Sequence, residues 1–202
     1  MRQRNNVNTT RRILLGTATT LVVVAACGSG TDTPGHDMPD RGDTGTRTTA
    51  PSLSESTSTR PRAVDLDGTA PCGLLTDGQL PTLKIDTAGR PVDSDFYKTT
   101  GCSWTVIGAG SHLVPVTVEG ISAWTDGKRA GQAETIDPVL DFPAITVTLP
   151  SDEGRCDVMV DTSEGQYLVA AFSVLPTYED RFPAPCDGAR KLAEAAMENL
   201  LK

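Results

Sequence analysis

The sequence predicts an α+β fold: an antiparallel sheet of about five strands, packed by a short N-terminal helix and a longer C-terminal amphipathic helix. Three observations carry that reading. Short runs between residues 101 and 175 alternate apolar and polar side chains with the period of two that a half-buried strand requires. From Asp187 to the end the period becomes that of a helix, with Ala189, Leu192, Ala193, Ala196, Met197, Leu200 and Leu201 on one side. Cys72, Cys102, Cys156 and Cys186 form an even set spread through the same region, which outside the cytoplasm reads as two disulfides.

The stretch ahead of that domain has a different chemistry. Residues 1–12 carry Arg2, Arg4, Arg11 and Arg12 and no acid, and the fourteen residues from Ile13 to Ala26 carry no charge. A basic start, an apolar run and small residues before a cut make a secretory signal peptide, residues 1–26. Fourteen helical residues span about 21 Å, short of the roughly 30 Å hydrocarbon core, so a permanent transmembrane helix is disfavoured. Leu21-Val22-Val23-Val24-Ala25-Ala26-Cys27 reads as a bacterial lipobox. Its small residues suit a peptidase cleft and its thiol accepts a diacylglyceryl group. Cys27 is therefore the expected lipidation site, and two or more acyl chains make a stable anchor where one does not. Thr10-Arg11-Arg12-Ile13-Leu14-Leu15 also resembles a twin-arginine export signal; the general secretory route is expected, and the other stays open.

Residues 27–70 are built from Gly, Ser, Thr, Pro and Asp, with Met38, Leu53, Val64 and Leu66 as the large apolar exceptions. Such a segment buries too little apolar surface to offset chain entropy, so a disordered tether is expected. Random-coil scaling gives it a mean reach of about 35 Å and full extension about 140 Å. Its Thr/Ser/Pro stretch from Thr44 to Thr59 is open to O-linked sugars, although a bare linker is expected. Residues 71–202 form the disulfide-stabilised α+β domain, a common size for one core.

The domain's elements follow in order. Thr76-Asp77-Gly78-Gln79 is a capping-box pattern that starts the short first helix, and Pro81 and Gly89-Arg90-Pro91 then argue for a break and a loop. Gly101 to Ile107 reads as a strand, Gly108-Ala109-Gly110-Ser111 as a hairpin turn, and Leu113 to Glu119 as a strand whose Pro115 suggests a sheet edge. Trp124 to Asp141 is polar and reads as a loop with a helical turn, the longest irregular piece and so the place where binding residues concentrate. Ile145 to Leu149, Cys156 to Asp161 and Gln166 to Leu175 complete a five-strand antiparallel meander, the last two joined through Thr162-Ser163-Glu164-Gly165. Asp187 caps the final helix, and Cys186 pins its entrance. Of three possible cysteine pairings, Cys72–Cys102 and Cys156–Cys186 are expected. A tetracysteine metal site is disfavoured because no Cys-x-x-Cys pair exists.

Charge and side-chain inventory limit the functions. With the signal removed, fourteen basic residues face 26 acids, a net of −12. Nucleic acid is excluded as a partner, since phosphate neutralisation by Lys and Arg supplies most of that affinity. The acid excess reads as solubility before it reads as a site for a cationic partner. His36 and His112 are the only histidines. Ser111 beside His112 is no dyad, because neighbours on a strand point to opposite faces. Asp93/Asp95 and Asp152/Glu153 lie in turn-like stretches and read as solvated acids, not as a glycosidase pair or calcium ligands. Asp65-Leu66-Asp67-Gly68 lacks the remaining ligands of a calcium loop. Trp104 and Trp124 read as core and loop packing. No catalytic residue, metal ligand or cofactor site is expected.

Pro71-Cys72-Gly73-Leu74-Leu75-Thr76, Gly101-Cys102-Ser103-Trp104, Cys156-Asp157-Val158-Met159-Val160 and Pro185-Cys186-Asp187 before an Ala-rich helix together resemble a family. It is the actinobacterial lipoproteins described as domain of unknown function 3558, and the likeness covers nearly all of residues 71–202. The resemblance implies a secreted, lipid-anchored α+β domain and no reaction. Asp141-Phe142-Pro143-Ala144 departs from the family pattern, where a Gly is expected before the Pro-Ala step. The expectation is a cell-envelope lipoprotein on the outer face of the cytoplasmic membrane. It would be a non-enzymatic binding or interaction module for an envelope protein, lipid or cell-wall component. The alternative is a lipid carrier, with an apolar cavity between sheet and helix, or a carboxylate-based cell-wall hydrolase.

Overall fold

The computed structural model describes residues 59–202. The signal, Cys27 and the tether up to residue 58 lie outside the described residues. Seven strands, not five, form one antiparallel sheet: β1 (Arg90–Ser94), β2 (Thr99–Val106), β3 (Ala109–Val116), β4 (Gln132–Val139), β5 (Phe142–Leu149), β6 (Asp152–Ser163) and β7 (Gln166–Val174). Their order is β1-β2-β3-β7-β6-β5-β4, so the sheet is two meanders joined where β3 pairs with β7. A single helical turn, α1 (Ser122–Thr125), lies between β3 and β4, and α2 (Pro185–Leu200) ends the chain.

The two unexpected strands are the two edges. β1 is solvent-exposed along nearly its whole length, and β4 buries fully only Val139. Neither therefore shows the alternation that a half-buried strand imprints on a sequence. Both carry a proline, Pro91 and Pro138, as edge strands tolerate. Pro115, by contrast, sits in β3, between β2 and β7. Its pairing with β2 ends at Cys102↔Leu113, so at Pro115 only β7 is paired, opposite Leu168. The missing N–H thus costs no bond to β2.

The turns follow from register. Val106 pairs with Ala109, so the β2–β3 turn is Ile107-Gly108 and not the four residues from Gly108. Gly108 has φ of 91°, and a Cβ there would lie 2.3 Å from Tyr178 Cγ, so both backbone and space demand glycine. Between β4 and β5, Leu140 and Asp141 take φ of 48° and 68°, a left-handed pair of the kind that closes a two-residue hairpin. The second residue of this turn, Asp141, opens the Asp141-Phe142-Pro143-Ala144 departure. The β6–β7 hairpin turns at Glu164-Gly165, flanked by Ser163↔Gln166.

Before the sheet the chain winds through two 3-10 turns, Pro71–Leu74 and Leu80–Leu83. The capping-box residues do bond: Thr76 N–H and Oγ1 each donate to Gln79 Oε1, at 2.9 and 3.0 Å. Gln79 in turn donates to the Ala195 carbonyl, tying this segment to α2. The domain also begins earlier than the tether boundary expected at residue 70. Val64 and Leu66 are core residues, Val64 N–H donates to the Thr162 carbonyl, and Arg60 pairs with Asp161. Two large apolar residues in an otherwise polar tract are enough to bind it down.

α2 lies on one face of the sheet. It starts at Pro185 with no side-chain cap, so Asp187 contributes a negative charge within the first turn and not the cap itself. Ala189, Leu192, Ala193, Ala196 and Met197 are almost wholly buried against Leu168, Ala170 and Phe172 of β7 and Val158 and Val160 of β6. The helix comes so close that a Cβ at Gly188 would lie 2.2 Å from Phe172 Cδ1. Both disulfides brace this side: Cys72–Cys102 ties the first 3-10 turn to β2, and Cys156–Cys186 ties β6 to α2. Between helix and sheet a gap of only about 40 Å³ lies beside Ser111, Phe172, Gly188 and Leu192.

Candidate functional site

Residues of opposite parity point away from α2, and they are apolar too. Val114 and Val116 of β3, Val147 of β5, Met159 of β6 and Tyr167 and Val169 of β7 form a second buried cluster. No long helix covers them. The cover comes from the β1–β2 turn, through Phe96 and Tyr97, and from α1, through Ile121 and Trp124. Phe96 meets Tyr97 edge-on at 4.8 Å and Trp124 at 6.0 Å between centroids.

A polar relay fixes this cover to the sheet. Trp124 Nε1 donates to Tyr167 Oη at 3.0 Å, and Tyr167 Oη donates to Glu119 Oε1 at 2.9 Å. Arg129 grips the same carboxylate with Nε and Nη2, and its guanidinium lies 4.7 Å from the Phe96 centroid. Burial raises the Tyr167 phenol above its ordinary range, and burial with the Asp157 charge does the same for Tyr97. Both rings therefore stay protonated at neutral pH, Tyr167 as a donor to Glu119 and Tyr97 as a wall of the adjoining pocket.

The cover does not reach the end of the sheet where β5 and β6 turn. There it leaves a pocket of about 420 Å³, walled by Phe96, Tyr97, Trp124, Val147 and Leu149, with Arg155 and Asp157 on its floor and Asp152 beside them. Arg155 donates through Nε to Asp157 Oδ1 at 2.7 Å and through Nη2 to Oδ2 at 3.0 Å. That bidentate bond raises the Arg155 pKa further above its ordinary value. On the far side of Tyr97 and Arg155 a second cavity of about 180 Å³ is bounded by Val92, His112 and Ala171. Burial, then the Arg155 charge, holds His112 below its ordinary pKa, so its imidazole is neutral at pH 7. A wider depression of about 730 Å³ over the β2–β3 and β5–β6 turns is more polar and more open, and lacks the aromatic wall.

The residues singled out in the sequence are distributed as follows. Cys27 lies outside the described residues. Cys72, Cys102, Cys156 and Cys186 are all disulfide-bonded. His112 stands on the half-covered sheet face while Ser111 is buried on the helix side, and the two form no dyad. Asp93 accepts from Thr100 Oγ1 at 2.7 Å and borders the smaller cavity; Asp152 borders the larger one. Asp65 Oδ1 accepts from Asp67 N–H and Gln166 Nε2, which lowers its pKa and makes it a turn-forming residue. Trp104 is core, whereas Trp124 is both packing and pocket wall. Among the described residues no group of three or more His, Cys, Asp and Glu is placed to hold a metal ion, and no helix is long and apolar enough to cross a membrane.

Phe96, Tyr97, Arg155 and Asp157 were not anticipated. Two signals in the sequence point to them. Arg155 and Asp157 share one face of a strand that continues as Val158-Met159-Val160, which places a charge pair on a sheet face. An adjacent aromatic pair, Phe96-Tyr97, also directly follows the acidic stretch Asp93-Ser94-Asp95.

Fold and pocket together define a disulfide-braced α+β domain with one sheet face sealed by a helix and the other roofed by loops over a pocket. The chain belongs to the family described as protein of unknown function (DUF3558), whose model matches residues 22–199. No curated protein and no solved structure matches it.

Proposed function

We propose that this protein is a non-enzymatic envelope lipoprotein, anchored through Cys27 on the outer face of the cytoplasmic membrane, whose domain binds a small molecule in the pocket beside Trp124. The observation that carries the reading is the pocket itself. Its volume of about 420 Å³ falls within the usual span of ligand sites. Apolar and aromatic walls surround a few convergent polar groups, the usual composition of such sites.

Binding is favoured over hydrolysis because the acids at the pocket are unequally placed. Both Asp157 oxygens are engaged by Arg155, which leaves Asp152 as the one acid there without a hydrogen bond among the described residues. A glycosidase needs two. The lipid-carrier alternative asks for a large cavity between sheet and helix, where the gap beside Gly188 and Leu192 is only about 40 Å³, too small for an acyl chain; the pocket on the other face offers an apolar guest more room.

The test is amide and indole chemical-shift mapping with a library of soluble aromatic and aliphatic fragments. Shifts concentrated on Tyr97, Trp124, Val147 and Arg155 are expected. Fragments that bind elsewhere, or nowhere, would remove the reading.

A further inference from the structure

The charge and the aromatic content of the pocket say more about its occupant. We infer that the pocket takes an organic ammonium cation, with the cationic head between the aromatic wall and Asp152 and the apolar body over Val147 and Leu149. This rests on the pocket being a ligand site at all.

Aromatic residues are scarce in this chain, nine in total, and three of them, Phe96, Tyr97 and Trp124, wall this one cavity. Their π faces carry negative potential, which attracts a cation within about 6 Å of a ring centroid. The Phe96 ring already accepts one, since the Arg129 guanidinium stacks over it at 4.7 Å, and the same ring borders the pocket. The charged groups lining the pocket are Arg155, Asp157 and Asp152, a formal balance of −1.

Two of the three nitrogens of the one cation, Nε and Nη2 of Arg155, are committed to Asp157, which partly offsets its charge towards a guest. The Asp152 side chain is exposed, makes no hydrogen bond or ion pair among the described residues, and leaves the lining with one acid in excess of Arg155. The adjoining cavity adds no net charge, since Asp93 and Arg155 both border it and His112 is uncharged. An anionic guest would meet Asp152 and the quadrupoles of three rings. A neutral guest would leave both unused.

Three soluble probes of nearly one shape separate the cases: choline, 3,3-dimethylbutan-1-ol and 3,3-dimethylbutanoate, followed by the Trp124 indole N–H and Arg155 Nε–H signals of labelled protein. Choline is expected to bind at least fivefold tighter than the alcohol and the carboxylate weakest. Asp152→Asn is expected to lower choline affinity about threefold or more and leave the alcohol unchanged, and Phe96→Ala to weaken choline more than the alcohol. Unchanged backbone shifts elsewhere would show that both variants fold. Equal binding of choline and alcohol, or tightest binding of the carboxylate, overturns the cation assignment and leaves the pocket standing. No perturbation by any probe up to about 10 mM, together with an empty fragment map, overturns both.

Discussion

His112 is the single imidazole among the described residues, and its environment sets a pH dependence. Burial and the nearby Arg155 charge lower its pKa in the folded domain, only partly opposed by Asp157. As pH falls through the ordinary value of 6.5, the unfolded chain takes up a proton before the folded one does. Stability from this residue is therefore complete above that value and declines as pH falls towards the folded pKa, below which the loss levels off. Chemical denaturation midpoints measured from pH 8 to 5 are expected to fall across this window in the native protein. In His112→Gln the decline should be shallower; an identical profile would show that other groups dominate. The same scale explains why the charge pair behind the pocket escaped the sequence reading. An Arg two residues before an Asp is common on exposed strands, and only the roof built by Tyr97 and Trp124 turns that face inward.

At the level of elements, legibility tracked burial. β2, β3 and β5 keep part of the two-residue alternation, and β6 and β7, buried on both faces, stand out as apolar runs such as Val158-Met159-Val160 and Tyr167-Leu168-Val169. β1 and β4 bury few side chains wholly or partly, Ala133, Ile136 and Val139 of β4 among them, and are held mainly by backbone pairing, which leaves little mark on side-chain choice. The pocket's roof was half legible: the Trp124–Asp141 stretch stood out as irregular and polar, while the Phe96-Tyr97 turn did not. α2 was clear because its apolar stripe has a partner surface. Its first turn is also covalently held, since Cys186 bonds to Cys156 across a separation of 30 residues. In the chain-entropy model a loop of that length is worth about 3–4 kcal/mol. A Cys156→Ala/Cys186→Ala double variant is expected to lose about that much in urea unfolding while keeping its helical circular dichroism, because the buried stripe remains. Loss of the helical signal under native conditions would mean that the bond, not the stripe, holds α2 in place.

On the scale of the whole chain, the expected arrangement is an acylated first residue, a polar tether and a domain that begins by residue 60. Membrane-extracted protein is expected to show an intact mass that starts at Cys27 with acyl groups added, and Cys27→Ala to remain uncleaved at that position. Full-length unmodified precursor in the membrane fraction would contradict the anchoring. The domain itself consists of a three-strand meander, residues 90–116, and a four-strand meander, residues 132–174, whose neighbours in the sheet are neighbours in the chain. Each disulfide lies on one side of the β3–β7 ladder, and neither crosses it. That ladder is thus a non-covalent seam, and the two cavities sit across it, with Ser94 and Tyr97 contributed from one side and Val147, Arg155 and Asp157 from the other. A guest seated there touches both halves at once and acts as a rivet: whatever occupies the pocket resists the parting of the sheet at the one place where the chain itself supplies no covalent stitch.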